Sequence, residues 1–194
     1  MKLLSYIRVW ILIIVSWFMW HFYKRWTRDS NQRFMRDLGA ANPYLARIRD
    51  WQQREMESTY SSQDNSGEVD LGVARVLHID MLLNFKYVKD EVQFDRRDYW
   101  MTSQEARKRM RGDCEDFAIL LMAKLRRGGF PDNKIGVVIV EGHAFCCVYH
   151  KPDDFMVLDN GYFTQSMVPA SRLFPCKGKV PLYGFNFFEY WTYR

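Results

Sequence analysis

From Leu3 to Tyr23 the chain is apolar except at Ser5, Arg8, Ser16 and His21; beyond that the pattern turns mixed, then helical, then alternating. The first stretch has roughly the 20 residues a helix needs to cross a bilayer. Trp10, Trp17, Trp20 and Tyr23 have the character of interfacial anchors, and no small-residue cleavage site follows. The pattern predicts a retained single-pass transmembrane helix over 1–26, the alternative being a buried or interfacial amphipathic helix. Lys24, Arg25, Arg28, Arg33 and Arg36 outnumber Lys2 and Arg8 on the other side, so the charge bias places the rest of the chain in the cytoplasm.

Residues 27–67 are rich in Arg, Gln and Glu and read as a helical, solvated stalk, broken near Gly39 to Pro43, with Ser61 to Gly67 as a linker. One domain follows over 68–194. Asp70 caps a helix running towards Tyr87, with Val73, Val76, Leu77 and Met81 at helical spacing. Thr102 and Glu105 have capping-box spacing, predicting a short helix through Arg109. A second helix starts at Asp113, with Cys114, Phe117, Ala118, Leu121, Met122 and Leu125 on one apolar face, and stops at Gly128 and Gly129.

After Pro131 the pattern alternates with period two, predicting strands over Ile135 to Val140, His143 to Tyr149 and Phe155 to Asp159. The aromatic run Tyr183 to Tyr193 predicts a closing strand. The fold class expected is α+β, with N-terminal helices packed on an antiparallel sheet.

Composition narrows the chemistry. With 194 residues, 48% hydrophobic, the chain can bury one good core. A net charge of +5, with acids and bases interleaved, does not imply a nucleic-acid partner. Four cysteines at 114, 146, 147 and 176 match neither paired zinc-ligand spacing nor a disulfide framework. One cysteine is therefore available for catalysis.

Cys114 falls in the first turn of its helix, where free backbone N–H groups and the helix dipole favour a thiolate and offer an oxyanion site. Trp100 and Gln104 are candidates for a second oxyanion donor. A thiolate nucleophile needs an imidazole, and the imidazole an orienting group. If His150 to Asp154 form a five-residue hairpin loop, Tyr149 pairs with Phe155, and His143 and Asp159 share a face one diagonal step apart. A four-residue loop would turn Asp159 away. His78 and His150 are weaker bases, and Cys146 and Cys147 alternate across a strand as structural residues.

Asp113, Glu115 and Asp116 surround the nucleophile, either as helix caps or as a Ca²⁺ site, since a hard cation takes several oxygen ligands. Arg107, Lys108, Arg109 and Arg111 make a basic run beside them, either a solvated face or a contact for acidic substrate or lipid headgroups.

The runs Asp98-Tyr99-Trp100, Gly112-Asp113-Cys114-Glu115-Asp116-Phe117-Ala118, Gly142-His143-Ala144 and Val157-Leu158-Asp159-Asn160 resemble the bacterial transglutaminase-like cysteine proteinases, the LapG-type group. The likeness covers most of Val69 to Trp191. It implies a papain-like, transglutaminase-like fold, a triad of Cys114, His143 and Asp159, and endopeptidase activity on a protein or peptide. It also implies Ca²⁺ held by Asp113 and Glu115 with Asp116, and a periplasmic location as the alternative to the cytoplasm. A transglutaminase or amidase acyl transfer would use the same triad. A non-catalytic binding module, virion- or envelope-associated, is the alternative from another class.

Overall fold

The structure, a computed structural model, describes residues 43–59, 68–151, 154–177 and 179–193. Among the described residues no helix is long and apolar enough to cross a membrane. The anchor expected over 1–26 lies outside them.

Helix α1, Pro43–Thr59, opens the described chain. Residues 27–67 read as a solvated stalk and linker, but this part of it is docked: Ile48 and Trp51 are fully buried in the core. The Trp51 indole donates to the Met101 carbonyl at 3.1 Å. Glu55, buried one turn on, accepts from the Ser103 N–H at 2.6 Å and also from the Ser103 hydroxyl. Many polar residues hid this packing because only one narrow stripe of α1 is apolar.

Helix α2, Leu71–Asn84, is capped by the Asp70 carboxylate, which accepts from Gly72 and Val73 N–H. Only part of the helically spaced apolar set meets the core, Met81 fully and Leu77 in part. Ala74, His78 and Met81 point inward, whereas Val73 and Val76 are exposed along with Ile79 and Leu83. Apolar residues surround this helix, so periodicity alone did not choose its inner side.

Strand β1 (Lys86–Tyr87) pairs in parallel with β2 (Arg111–Gly112). Between them lie the short helices α3 (Asp90–Phe94) and α4 (Ser103–Arg109). The Thr102 and Glu105 capping box is formed at α4, whose last turn carries Arg107, Lys108 and Arg109, all exposed. Cations there complement the helix dipole. Helix α5, Cys114–Arg127, follows immediately and is buried over most of its length.

A 3-10 turn, Asp132–Lys134, leads into a six-stranded antiparallel sheet. Its strands are β3 (Ile135–Val140), β4 (His143–Lys151), β5 (Asp154–Leu158), β6 (Val168–Pro169), β7 (Tyr183–Phe185) and β8 (Tyr190–Thr192), in spatial order β6-β5-β4-β3-β7-β8. The aromatic C-terminus is thus a hairpin, not one strand. Asn186 turns it, its Oδ1 accepting from the N–H of Phe188 at 2.9 Å and Glu189 at 2.7 Å.

Alternation along the strands splits the core in two. Val137, Ile139, Cys146, Val148 and Leu158 face α5 and α1, while Val138, Phe145, Cys147, Phe155 and Val157 pack with Leu173 of α6, Ala170–Lys177. Cys146 and Cys147 therefore belong to opposite cores, both fully buried. The register expected from a five-residue loop is present, with Tyr149 opposite Phe155 and Cys146 opposite Leu158, but the loop itself is corrected: Lys151 pairs with Asp154, and a bulge between Tyr149 and Lys151 absorbs the extra residue.

Candidate active site

Three segments converge on one end of the sheet. Gly112 sits in β2 because a Cβ there would lie 2.6 Å from Cβ of Asp116. Asp113 is the N-cap of α5, and Cys114 is its first helical residue. Asp116, in the first turn, accepts from Asp113 N–H at 3.3 Å through Oδ2 and from Met101 N–H at 2.8 Å through Oδ1. The start of the nucleophile helix is thereby tied to the segment before α4.

The second segment is the β3–β4 turn. Val140 pairs with His143, leaving Glu141 and Gly142 as the loop, and Gly142 has a φ of 71°. Two-residue hairpin loops require such a backbone, which glycine adopts without strain. His143 thus occupies the first position of β4. Its ring lies 4.6 Å from that of Tyr162 and 4.9 Å, edge-on, from that of Phe163.

The third segment is the end of β5. Asp159 follows Leu158 and is fully buried. Its Oδ2 accepts from Phe163 N–H at 2.6 Å and Thr164 N–H at 3.2 Å, and its Oδ1 lies 2.5 Å from Nε2 of His143. The backbone of the following loop fixes the carboxylate, and the carboxylate fixes the imidazole. Nδ1 is left as the nitrogen that can face a thiol.

Cys114 is half-buried, and its Sγ receives the backbone N–H of Ala144, the neighbour of His143. Its thiol donates to Glu115 Oε2 at 3.2 Å. Burial raises the thiol pKa well above its ordinary value, and the negative charges of Glu115 and Asp113 add to the effect. The helix-dipole expectation of a lowered pKa is outweighed here by burial, with the nearby carboxylates adding to it.

Those carboxylates extend beyond the three expected. Ligand atoms of Asp90, Asp113 and Asp116 lie within 4.8 Å of one another, as do those of Asp90, Asp98 and Glu115. Oδ1 of Asp90 and Oδ1 of Asp113 are buried with no hydrogen-bond partner. Burial first, then mutual repulsion, pushes Asp90 up to about 6 and Asp116 up to about 8, and raises Glu115. Burial also dominates at Asp113, where the Asp98 charge adds to it.

Sequence reasoning missed Asp90 and Asp98 as members of this cluster. Asp98 lies in the Asp98-Tyr99-Trp100 run that carries the family resemblance, whereas Asp90 has no local signal. The Trp100 ring is buried and stacks on Phe185 at 5.5 Å. Gln104 is half-buried in α4.

The family model described as bacterial transglutaminase-like cysteine proteinase BTLCP matches residues 50–168. The chain belongs to this family and is a cysteine peptidase, a thiol hydrolase. Among solved structures, EGTA-treated Legionella pneumophila LapG aligns with a TM-score of 0.56 and 20% identity, covering 76% of this chain and 86% of that one. Calcium-bound Legionella pneumophila LapG aligns with a TM-score of 0.54 and 19% identity, covering 75% and 87%. No curated protein matches in sequence. The shared fold is a mixed helix and sheet structure with an antiparallel sheet.

Proposed function

We propose that the chain is a membrane-anchored endopeptidase in which Cys114, His143 and Asp159 form the catalytic triad. The observation that carries this reading is the 2.5 Å contact between His143 Nε2 and Asp159 Oδ1, beside a cysteine at a helix N-terminus. Asp159 holds the proton on Nε2, so Nδ1 takes the proton of the Cys114 thiol. The thiolate attacks the scissile carbonyl carbon, and backbone N–H groups at the start of α5 stabilise the oxyanion. His143 returns the proton to the leaving amine as the C–N bond breaks, leaving a thioester. It then deprotonates a water that attacks the thioester, releasing the acid and restoring the thiol.

The two partnerless buried oxygens, Asp90 Oδ1 and Asp113 Oδ1, fit a hard divalent cation, as does an all-carboxylate donor set. Asp113, Glu115 and Asp116, with Asp90 and Asp98, would hold Ca²⁺. When bound, the ion supplies positive charge beside Cys114 that offsets the carboxylates and favours the thiolate.

The apolar segment 3–23 supports a single-pass anchor, and the bases after it favour a cytoplasmic catalytic domain. Reporters fused after the C-terminus test the side; activity of a periplasm-only reporter would reverse that orientation.

The test of the triad is iodoacetamide alkylation of Cys114 in calcium, read by mass spectrometry, with His143→Ala as the control. Cys146 and Cys147 are buried, so selectivity over them is uninformative. Slowed alkylation in His143→Ala supports the pair, and Cys114-dependent appearance of new N-termini in a denatured protein mixture supports the endopeptidase. An alkylation rate that ignores His143 sinks the reading.

A further inference from the structure

His78 lies in the middle of α2, fully inside the core, between apolar neighbours and far in sequence from the triad. Its Nε2 is 2.7 Å from the main-chain oxygen of Asp159. A carbonyl oxygen only accepts, so this nitrogen carries a proton and donates it. The His78 ring also meets the Phe117 ring at 6.3 Å between centroids, nearly perpendicular, and Phe117 stands one turn after Cys114 on α5. One buried side chain therefore touches both the helix that carries the nucleophile and the backbone of the orienting carboxylate.

We propose that His78 is a positioning residue for the triad, holding the Asp159 main chain so that its carboxylate meets His143. The proposal rests on the triad reading above. The loop after β5 grips the Asp159 side chain through Phe163 and Thr164, but both donors lie downstream of Asp159 on the same loop. A clamp of this kind can shift as a unit. Apart from His143, whose placement is the thing to be fixed, His78 ties Asp159 to a different element, α2, through its main chain, and an apolar residue at 78 would leave a buried carbonyl unpaired. Among the described residues no other side chain donates to that oxygen.

The experiment uses the full-length chain in calcium with two readouts: the iodoacetamide rate of Cys114 at fixed pH, and the low-field proton resonance of the His143 to Asp159 hydrogen bond. In His78→Leu the rate should fall about tenfold to a hundredfold, the scale of an ångström misplacement, and the resonance should vanish. His78→Gln places an amide N–H near the original Nε2 and should restore both. His78→Asn, whose amide stops short of the carbonyl, serves if the leucine variant does not fold, and should behave as His78→Leu is expected to. A wild-type rate in His78→Leu or His78→Asn overturns the proposal, as does equal loss in His78→Gln, which would assign the effect to ring packing. Asp159→Asn and His143→Ala separate the two levels: unchanged alkylation in both defeats the triad itself, whereas loss in both with none at His78 defeats only the positioning role.

Discussion

Both carboxylate oxygens of Asp159 face donors: Oδ1 meets Nε2 of His143 at 2.5 Å, and Oδ2 meets the N–H groups of Phe163 and Thr164. Neither position can accept an amide NH2 without conflict. In Asp159→Asn, an NH2 toward the loop opposes two N–H groups, and an NH2 toward His143 forces the imidazole into the wrong tautomer. The expected outcome is a loss of about 10²-fold to 10⁴-fold in turnover or Cys114 alkylation. Steady-state rates of the purified variant check this, with circular dichroism to show that it is folded. A variant retaining a third of wild-type rate would remove Asp159 from the triad.

The carboxylate cluster makes a prediction in pH. Asp90 and Asp116 are raised by burial and mutual repulsion to about 6 and about 8, against an ordinary value near 4 in the unfolded chain. A raised folded pKa gives stability that is present at low pH and is lost as pH rises through the folded value. Without a cation, then, these groups cost stability progressively from about pH 4 to about pH 8. Calcium binds the ionised forms, so the gain in Tm on adding calcium over EGTA should grow with pH across that window. Thermal melts at several pH values measure it. A gain that is absent, or constant with pH, would leave helix capping as the purpose of these acids.

Gly112 is the narrowest point of the site. A Cβ at this position would lie 2.6 Å from Cβ and 2.8 Å from Cγ of Asp116, too close for either to remain. Asp116 would have to leave the N–H groups of Met101 and Asp113, loosening the start of α5. Gly112→Ala is expected to destabilise by about 1–3 kcal/mol and to weaken calcium binding. Urea unfolding and calcium titration of the variant would show both. Unchanged calcium affinity would mean that Asp116 serves the helix start and not the ion.

How much of this was legible in the sequence differs by element. The His143 to Asp159 geometry was legible only on condition of one register, because a shift of one residue would have turned Asp159 to the other face; the structure has that register, with Tyr149 opposite Phe155. Helix α5 was legible because its apolar face is continuous and its caps are explicit. The inner face of α2 was not, since Val76, Ile79 and Leu83 are as apolar as the residues that pack, and only tertiary neighbours chose Ala74, His78 and Met81. Asp90 was invisible for another reason. Its role arises from the fold bringing α3 beside the start of α5, a juxtaposition that no spacing encodes.

The docking of α1 yields a prediction about where the folding unit begins. Trp51 is fully buried, edge-on to Phe185 at 5.2 Å, and donates to the Met101 carbonyl two residues before Ser103. Glu55 sits at the N-terminus of α4, where it accepts from the Ser103 N–H and hydroxyl. Removing the indole should cost about 3–5 kcal/mol, a large part of a small domain's stability. Trp51→Ala is therefore expected to shift the urea midpoint strongly downward. A chain starting near Val69 would lose the same contacts together with Ile48 and Glu55, and should aggregate, whereas one starting before Pro43 should remain folded and alkylate at Cys114 normally. Equal stability of the two truncated chains would show that α1 covers the core without supporting it.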